Sequence, residues 1–559
     1  MLKRGDVRHG TAVPDPTSAP PVQVSRSLAG VAMDGAHGEP PLGLPAALVA
    51  ALVAGLTLDV AFPALGWWPL AFLAVPLALL SLRGRRWTGS MLVGLVFGAA
   101  FFVPHVSWVS QFLGDHPLGW VPWIALAAAE ALLMAVLSPL ITLTYRWGPD
   151  QNSRAMLHLV ALPALVAGAW TVRELVMGSW PYGGFPWGRL GMSQAASPLA
   201  EVSSWTGVSG LSFLIVALCA AGIEGVRWIR HDRRGPTAPR TGRWFPRWTA
   251  PLPAAVLASC MLLLPQFPTE PVGTMRVGAV QGNGPAAYID QRRPSEVLDS
   301  QLAASQPLQD QDVDIVIWPE GGVDSDPLAD EATARSLSEA ARQFDAPLLV
   351  NAASTQDGEL LNTSFLWEPQ GPVASHSKHH PVPFGEYVPH REFYAALAPS
   401  LVDLLEREYA HGTDAPAVAV DGGQLGLAIC FDVIFDDVIQ EASHHGAQVH
   451  MFQTNNADFR GTDEHLQQLA MARMRAVESG RSVVNLSTTG TSQVFAPDGT
   501  TVAAIPADEP GVMVTEVELR DGLTAGVMLG PWVERGLVVG TILGLTLQAA
   551  VLGFRRRRT

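Results

Sequence analysis

Eight apolar runs, each near the length a helix needs to cross a lipid bilayer, constrain this chain more than any other feature. They lie at 43–62, 68–83, 89–110, 120–144, 156–176, 206–226, 250–267 and 534–554. A helix takes about 20 apolar residues to span the hydrocarbon core. No water is available there, so the segment must satisfy its own backbone N–H and C=O groups. Helices are therefore predicted for all eight runs. Composition points the same way: of 559 residues, 48% are hydrophobic and only 16% charged, against roughly 25% charged in a soluble protein.

The arginines set an orientation. Arg83, Arg85 and Arg86 follow the second run, and Arg146 and Arg154 the fourth. Arg227, Arg230, Arg233, Arg234, Arg240, Arg243 and Arg247 follow the sixth, and Arg555, Arg556, Arg557 and Arg558 the eighth. The connection after the first run carries no charge, and the one after the third carries only Asp115 and His116. Basic loops stay in the cytoplasm. This alternation predicts eight spans, both termini inside, and the long segment between spans seven and eight outside; seven spans would break it. The connection after the fifth run, Gly178 to Trp187, is then also outside. Its prolines and glycines exclude a continuous helix. Its aromatics, Trp187 among them, read either as an interfacial belt or as substrate-facing.

Four regions follow. Residues 1–40, rich in Pro, Gly, Ser and Asp, read as a disordered leader and not as a signal peptide, because no short apolar core follows the basic start. Residues 41–270 hold spans one to seven. Residues 271–525 form an exported domain, and 526–559 hold span eight and the arginine tail. In the exported part short β-like runs alternate with helical ones. Strands are predicted at 276–281, 313–318, 347–351, 363–367, 425–429 and 449–453, and helices at 336–343 and 465–479. That alternation predicts a layered α/β domain. Most acids of a chain with formal charge -15 lie between residues 290 and 521, which argues against a nucleic-acid partner. Of the three cysteines, Cys219 and Cys260 sit in apolar runs and only Cys430 lies in the exported part. An internal disulfide or a cysteine zinc site is thus excluded there by arithmetic.

Three polar residues stand at or near predicted strand ends, where sites form in α/β folds. Glu320 closes Ile317-Trp-Pro-Glu320. Cys430 closes Leu425-Gly-Leu-Ala-Ile-Cys430. Lys378 lies in Ser377-Lys-His-His-Pro-Val-Pro-Phe-Gly-Glu386. Taken singly, each has an ordinary structural use: a core thiol, a helix-start acid, a solvated loop cation. Together they are what thiol acyl transfer requires. A free thiol, with a pKa near ~8.5, is mostly protonated at neutral pH. A carboxylate in reach removes its proton during attack, and a fixed ammonium stabilises the thiolate and the tetrahedral oxyanion. No histidine, metal or cofactor is needed.

These contexts resemble the nitrilase superfamily and, more narrowly, its membrane branch, the apolipoprotein N-acyltransferases. Val382-Pro-Phe-Gly-Glu-Tyr-Val-Pro389 is similar to that branch's own stretch. Ile317-Trp-Pro-Glu320, Ala428-Ile-Cys430, Met471-Ala-Arg-Met-Arg-Ala476, Ala279-Val-Gln-Gly282 and Gly184-Phe-Pro-Trp187 resemble further segments. The resemblance covers the chain after residue 40. It implies an α-helical bundle of eight spans carrying an αββα sandwich. It also implies Glu320 as general base, Lys378 as oxyanion and thiolate partner, Cys430 as nucleophile and Glu386 as a supporting acid. The implied reaction moves an acyl chain from a membrane phospholipid, through a Cys430 thioester, to the α-amino group of a diacylated lipoprotein's N-terminal cysteine. The implied location is the bacterial cell membrane. Where the family often has Tyr and Glu after the nucleophile, this chain has Phe431 and Asp432; where it commonly has a tryptophan, this chain has Asp458. Tyr288 is the nearest aromatic to a gating position after the first strand. Two other readings stand beside this one: a membrane-tethered nitrilase-type amidase, and an inactive membrane binding protein.

Overall fold

The computed structural model describes residues 40–149, 155–232, 247–288 and 290–558. The predicted leader, Arg154 and most of the arginine-rich connection after the sixth run lie outside the described residues. Apolar helices occupy all eight runs: α1 (Leu44–Val60), α2 (Ala71–Leu82), α3 (Trp87–His105), α4 (Trp120–Arg146), α5 (Leu162–Met177), α6 (Ser203–Asp232), α7 (Leu252–Leu263) and, at the end of the chain, α14 (Ala525–Arg558). Among the described residues, five helical segments are long and apolar enough to cross a membrane: Trp87–His105, Trp120–Arg146, Leu157–Met177, Ala200–Arg230 and Ala525–Phe554. The other three are shorter. At 12 residues each, α2 and α7 extend about 18 Å at 1.5 Å per residue. Proline delimits them, with Pro69 in the 3₁₀ turn before α2 and Pro265 just past α7. The last helix starts nine residues before the predicted run, at Ala525 rather than 534, and takes in the apolar stretch Ala-Gly-Val-Met-Leu-Gly-Pro-Trp-Val at 525–533.

Helices α3 and α4 touch closely because α3 presents glycine. A Cβ on Gly94 would stand 2.3 Å from Ser138 Oγ, and one on Gly98 2.8 Å from the Ala131 Cα. Small residues at a helix seam are the usual device where burial of apolar surface gives little drive.

Between α7 and α14 the chain builds two six-stranded sheets. One has the order β12 (Gly511–Asp521), β1 (Glu270–Gln281), β2 (Ile315–Ile317), β3 (Leu348–Gln356), β4 (Glu359–Glu368), β5 (Gly371–Ser377). The other runs β11 (Thr501–Ile505), β10 (Ser492–Phe495), β9 (Val483–Ser487), β8 (Val449–Thr454), β7 (Gly423–Ile429), β6 (Ala417–Val420). The sheets pack face to face through Val277, Ile315, Ile317, Leu427, Met451 and Leu486. The opposite face of the first sheet buries Val316, Trp318 and Val350 beneath α8 (Glu296–Ala304) and α9 (Glu331–Phe344). The opposite face of the second is covered by α12 (Asp436–His444) and α13 (Glu464–Ser479). Strands buried on both faces read as unbroken apolar runs, as 313–318 does. Two short helices, α10 (Arg391–Leu397) and α11 (Pro399–Val402), lie in the long connection after β5.

Phe431, Ile434, Met471 and Met474 share one apolar cluster with Phe101, Trp187, Val208 and Leu211 of the helical half. The two halves are therefore packed together. Gln467 of α13 pins the contact: its Oε1 accepts from Trp187 Nε1 at 2.6 Å and Trp108 Nε1 at 3.2 Å, and its amide nitrogen donates to His105 O at 3.1 Å. β1 and β12 pair antiparallel from Glu270 opposite Asp521 to Gln281 opposite Gly511. The α/β domain thus begins and ends at one point, beside α7 and α14.

Candidate active site

Glu320 follows β2, Lys378 follows β5 and Cys430 follows β7. The facing of the two sheets brings these ends together. Lys378 Nζ lies 3.2 Å from Glu320 Oε1 and 2.9 Å from Glu386 Oε2, with the lysine only 1% exposed. The Cys430 thiol belongs to the same cluster, where the charges of Glu320 and Lys378 both act on it. Four residues scattered over 110 positions of sequence thus form one cluster.

A relay of amides sets its polarity. Gly321 N–H donates to Asn351 Oδ1 at 2.8 Å, Asn351 Nδ2 to Asn362 Oδ1 at 2.8 Å, and Asn362 Nδ2 to Glu320 Oε1 at 2.8 Å. A backbone donor, which cannot be reversed, therefore orients every amide in the chain toward the carboxylate. Asn362 Nδ2 also donates to Glu386 Oε1 at 3.3 Å, and Val382 N–H donates to Glu386 Oε2 at 2.7 Å. Asn351 and Asn362 were not singled out from sequence. The signal was there: each is a polar residue ending or interrupting an apolar strand run, where a buried amide must find partners.

Electrostatics follow from burial and these pairings. Burial pushes the Glu320 carboxyl up; Lys378 opposes this and Glu386 reinforces it. Burial would lower Lys378, but Glu320 and Glu386 outweigh it and raise the ammonium above its ordinary range. Burial and the Glu320 charge raise the Cys430 thiol, while Lys378 and the Asn455 N–H draw it back. These shifts hold Cys430 as a neutral thiol and Lys378 as an ammonium.

Cys430 has φ +51°. That left-handed conformation costs a non-glycine residue about 1–2 kcal/mol. It bends the chain from β7 into the 3₁₀ turn Cys430–Ile434. Asp432 braces the bend, accepting from Ile429 N–H at 3.3 Å and from His380 N–H at 2.8 Å, which also ties it to the Lys378 loop. Two guanidinium groups hold the far end. Arg475 Nη2 donates to Ile434 O at 2.8 Å, and Arg189 Nη2 reaches the same oxygen at 2.9 Å. Both arginines also pair with Asp436, at 2.7 and 2.6 Å. Arg189 belongs to the helical half, so the turn is clamped from both halves.

Phe431 faces the helical half, stacked on Phe185 at 6.1 Å and on Trp187 at 6.5 Å. Beside it lies a cavity of about 280 Å³ bounded by Tyr182, His380, Pro383, Tyr387 and Phe435. A larger cavity, about 400 Å³, is bounded by Asp59, Leu65, Trp108 and Asp463 and touches none of the clustered residues. Tyr288 is engaged elsewhere: its hydroxyl accepts from Glu406 N–H at 2.9 Å and its ring lies 4.5 Å from the Arg407 guanidinium. Asp458 accepts from Tyr288 N–H at 2.7 Å, and burial pushes its carboxyl up to about 6.

The αββα layering and the carboxylate–ammonium–thiol cluster define a carbon–nitrogen-hydrolase-type domain joined to a bundle of apolar helices. The carbon-nitrogen hydrolase family model matches residues 276–522, and the apolipoprotein N-acyltransferase N-terminal domain model matches 54–221. An apolipoprotein N-acyltransferase of Mycolicibacterium smegmatis is 33% identical, covering 90% of this chain and 85% of its own. One from Vibrio parahaemolyticus is 26% identical over 87% and 94%. The chain belongs to the apolipoprotein N-acyltransferase family and is an acyltransferase. Among solved structures, an amidase from Nesterenkonia sp. is 21% identical, covering 44% of this chain and 90% of that one, with a TM-score of 0.35.

Proposed function

We propose that Cys430 takes an acyl chain from a membrane phospholipid and passes it to the α-amino group of a diacylated lipoprotein's N-terminal cysteine. Glu320 removes the thiol proton as the sulfur attacks the ester carbonyl. Lys378 stabilises the negative oxygen of the tetrahedral intermediate. Collapse breaks the ester C–O bond, Glu320 returns the proton to the departing lysophospholipid, and a thioester remains. The lipoprotein amine then attacks, Glu320 takes its proton, and the C–S bond breaks to give an amide and the free enzyme. Glu386 keeps Lys378 in place. The observation that carries this reading is the single buried cluster in which Lys378 lies 3.2 Å from Glu320 and 2.9 Å from Glu386 beside the Cys430 thiol.

The apolar surroundings of that cluster support lipid substrates. Phe431, next to Cys430 in the chain, stacks on Phe185 and Trp187 of the helical half. In this reading the region boundaries are 1–40, 41–270, 271–525 and 526–559. Eight helices span the bacterial cell membrane, α2 and α7 as short spans, with the catalytic domain on the outer face and both termini inside. In protein carrying Cys219→Ala, Cys260→Ala and Cys430→Ala, an impermeant maleimide applied outside intact cells then labels a cysteine placed at exposed Asp357 and leaves one placed at Arg233 untouched; the reverse pattern overturns the orientation.

The reaction is tested by intact mass after incubation with phospholipid alone. An acyl-sized increment that maps to Cys430, and disappears on adding a diacylated lipopeptide, supports transfer. Release of free fatty acid or ammonia with no accumulating increment points instead to the hydrolytic, amidase-type reading.

A further inference from the structure

One contact to the nucleophile has no part in the steps above. Gln468 of α13, 1% exposed, places its amide nitrogen 3.6 Å from Cys430 Sγ. An amide side chain presents either a donor or an acceptor, depending on which way it is turned. Here the direction is dictated from a distance. Gly490 N–H donates to Ser487 Oγ at 2.9 Å, and Thr489 N–H at 3.3 Å. Those backbone donors occupy the hydroxyl as an acceptor, so its own hydrogen goes to Asn456 Oδ1. Asn456 must then turn its NH₂ the other way, where it donates to Glu464 Oε2 at 2.7 Å and Gln468 Oε1 at 2.9 Å. With its oxygen taken, Gln468 has only N–H left to offer the sulfur. Gly490 makes the relay possible: a Cβ there would stand 2.4 Å from Asn456 Oδ1.

We propose that Gln468 is a further catalytic residue, an amide donor locked in direction by Ser487 and Asn456, which favours the thiolate of Cys430 over the thiol. A locked donor bonds an anionic thiolate strongly and the weakly accepting sulfur of a thiol only feebly. Its use is twofold. It stabilises the sulfur as Glu320 takes the proton. In the second half-reaction it stabilises the electron pair that the C–S bond leaves on sulfur until Glu320 returns a proton. The titratable groups facing the sulfur are Glu320, Lys378 and Glu464. Two of the three are acids that oppose the thiolate, so a neutral donor assists Lys378 without adding a charge that would bind Glu320.

The proposal rests on Cys430 as nucleophile, and its test is kept separate from acyl transfer. In full-length protein carrying Cys219→Ala and Cys260→Ala, Cys430 is the only thiol, and its alkylation by iodoacetamide reads sulfur reactivity without any lipid. Gln468→Met keeps the volume and removes the donor; alkylation should fall about tenfold, the low end for a hydrogen bond to a charged group. Gln468→Glu should be at least as slow. Gln468→His, whose ring presents an N–H at similar reach, should recover most of the rate. Parent-like alkylation in Gln468→Met, or Gln468→His as slow as Gln468→Met, overturns the proposal. If Gln468→Met shows no cooperative thermal transition, Ser487→Ala decides: freeing Asn456 and Gln468 to turn should slow alkylation, and an unchanged rate overturns the donor role. Failure of Cys430 to acylate at all would instead fault the proposed nucleophile.

Discussion

Replacing Glu386 with Gln removes one charge from the cluster and changes little in shape. Glu386 accepts from Lys378 Nζ with both oxygens, at 3.0 and 2.9 Å, and also from Val382 N–H at 2.7 Å and Asn362 Nδ2 at 3.3 Å. Both oxygens face donors, so whichever way a glutamine amide is turned its NH₂ meets another donor. Losing one hydrogen bond to a charged group costs about 1.5–3 kcal/mol, or about ten- to a hundredfold in rate. The sign of the pH effect follows from the charges. Burial raises the Glu320 carboxyl, Lys378 lowers it and Glu386 raises it again. Without the Glu386 charge the lowering by Lys378 is opposed less, so the Glu320 pKa falls and Glu320 becomes a weaker base. In Glu386→Gln, acyl-enzyme formation should therefore have a plateau about ten- to a hundredfold lower, and its acid limb should move to lower pH. Rapid-quench measurement of thioester formation from a phospholipid across pH reads both. An acid limb that stays in place or moves up would refute the electrostatic reasoning, even if the rate falls.

Glu320→Gln and Lys378→Met should both be severely impaired, the latter by about a hundred- to a thousandfold as for a lost oxyanion donor. Raising the pH should partly rescue only the former, in the same thioester assay, because hydroxide can ionise the thiol but cannot replace the ammonium; equal rescue counts against this division of roles. Cys430→Ala should abolish the acyl-enzyme, while Cys219→Ala and Cys260→Ala leave it largely intact by intact mass. Arg189→Leu strips one of two cations from largely buried Asp436, with Arg475 remaining, and should destabilise the fold by about 1.5–3 kcal/mol, seen as a lower thermal midpoint in detergent. Burial would raise the Asp436 carboxyl, but Arg189 and Arg475 hold it below its ordinary range. Its contribution is therefore full above the unfolded value near ~4 and lost as pH falls through the folded one. With Arg189 gone the folded value rises, so acid unfolding should begin at higher pH; an unchanged acid midpoint would show that Arg475 suffices alone.

Whatever is local and periodic was legible in the sequence. Bilayer thickness acts on consecutive residues, so the eight apolar runs mark eight helices, although proline leaves two of them only 12 residues long. Strands buried on both faces are written as apolar runs, so 313–318 and 425–429 marked β2 and β7. Strand ends collect sites, which singled out Glu320, Lys378 and Cys430, and the resemblance of the segments around them supplied the family. The relations between those ends were not legible, because they depend on two sheets meeting face to face. Only the packed structure sets Lys378 between two carboxylates, turns Phe431 onto Trp187, and brings Arg189 from one half of the chain to the turn that begins at Cys430 in the other. The amide relays through Asn351 and Asn362, and through Ser487 and Asn456, are tertiary for the same reason. A buried amide takes its direction from whichever irreversible backbone donor lies at the end of its chain of partners, and no stretch of sequence records where that donor will be.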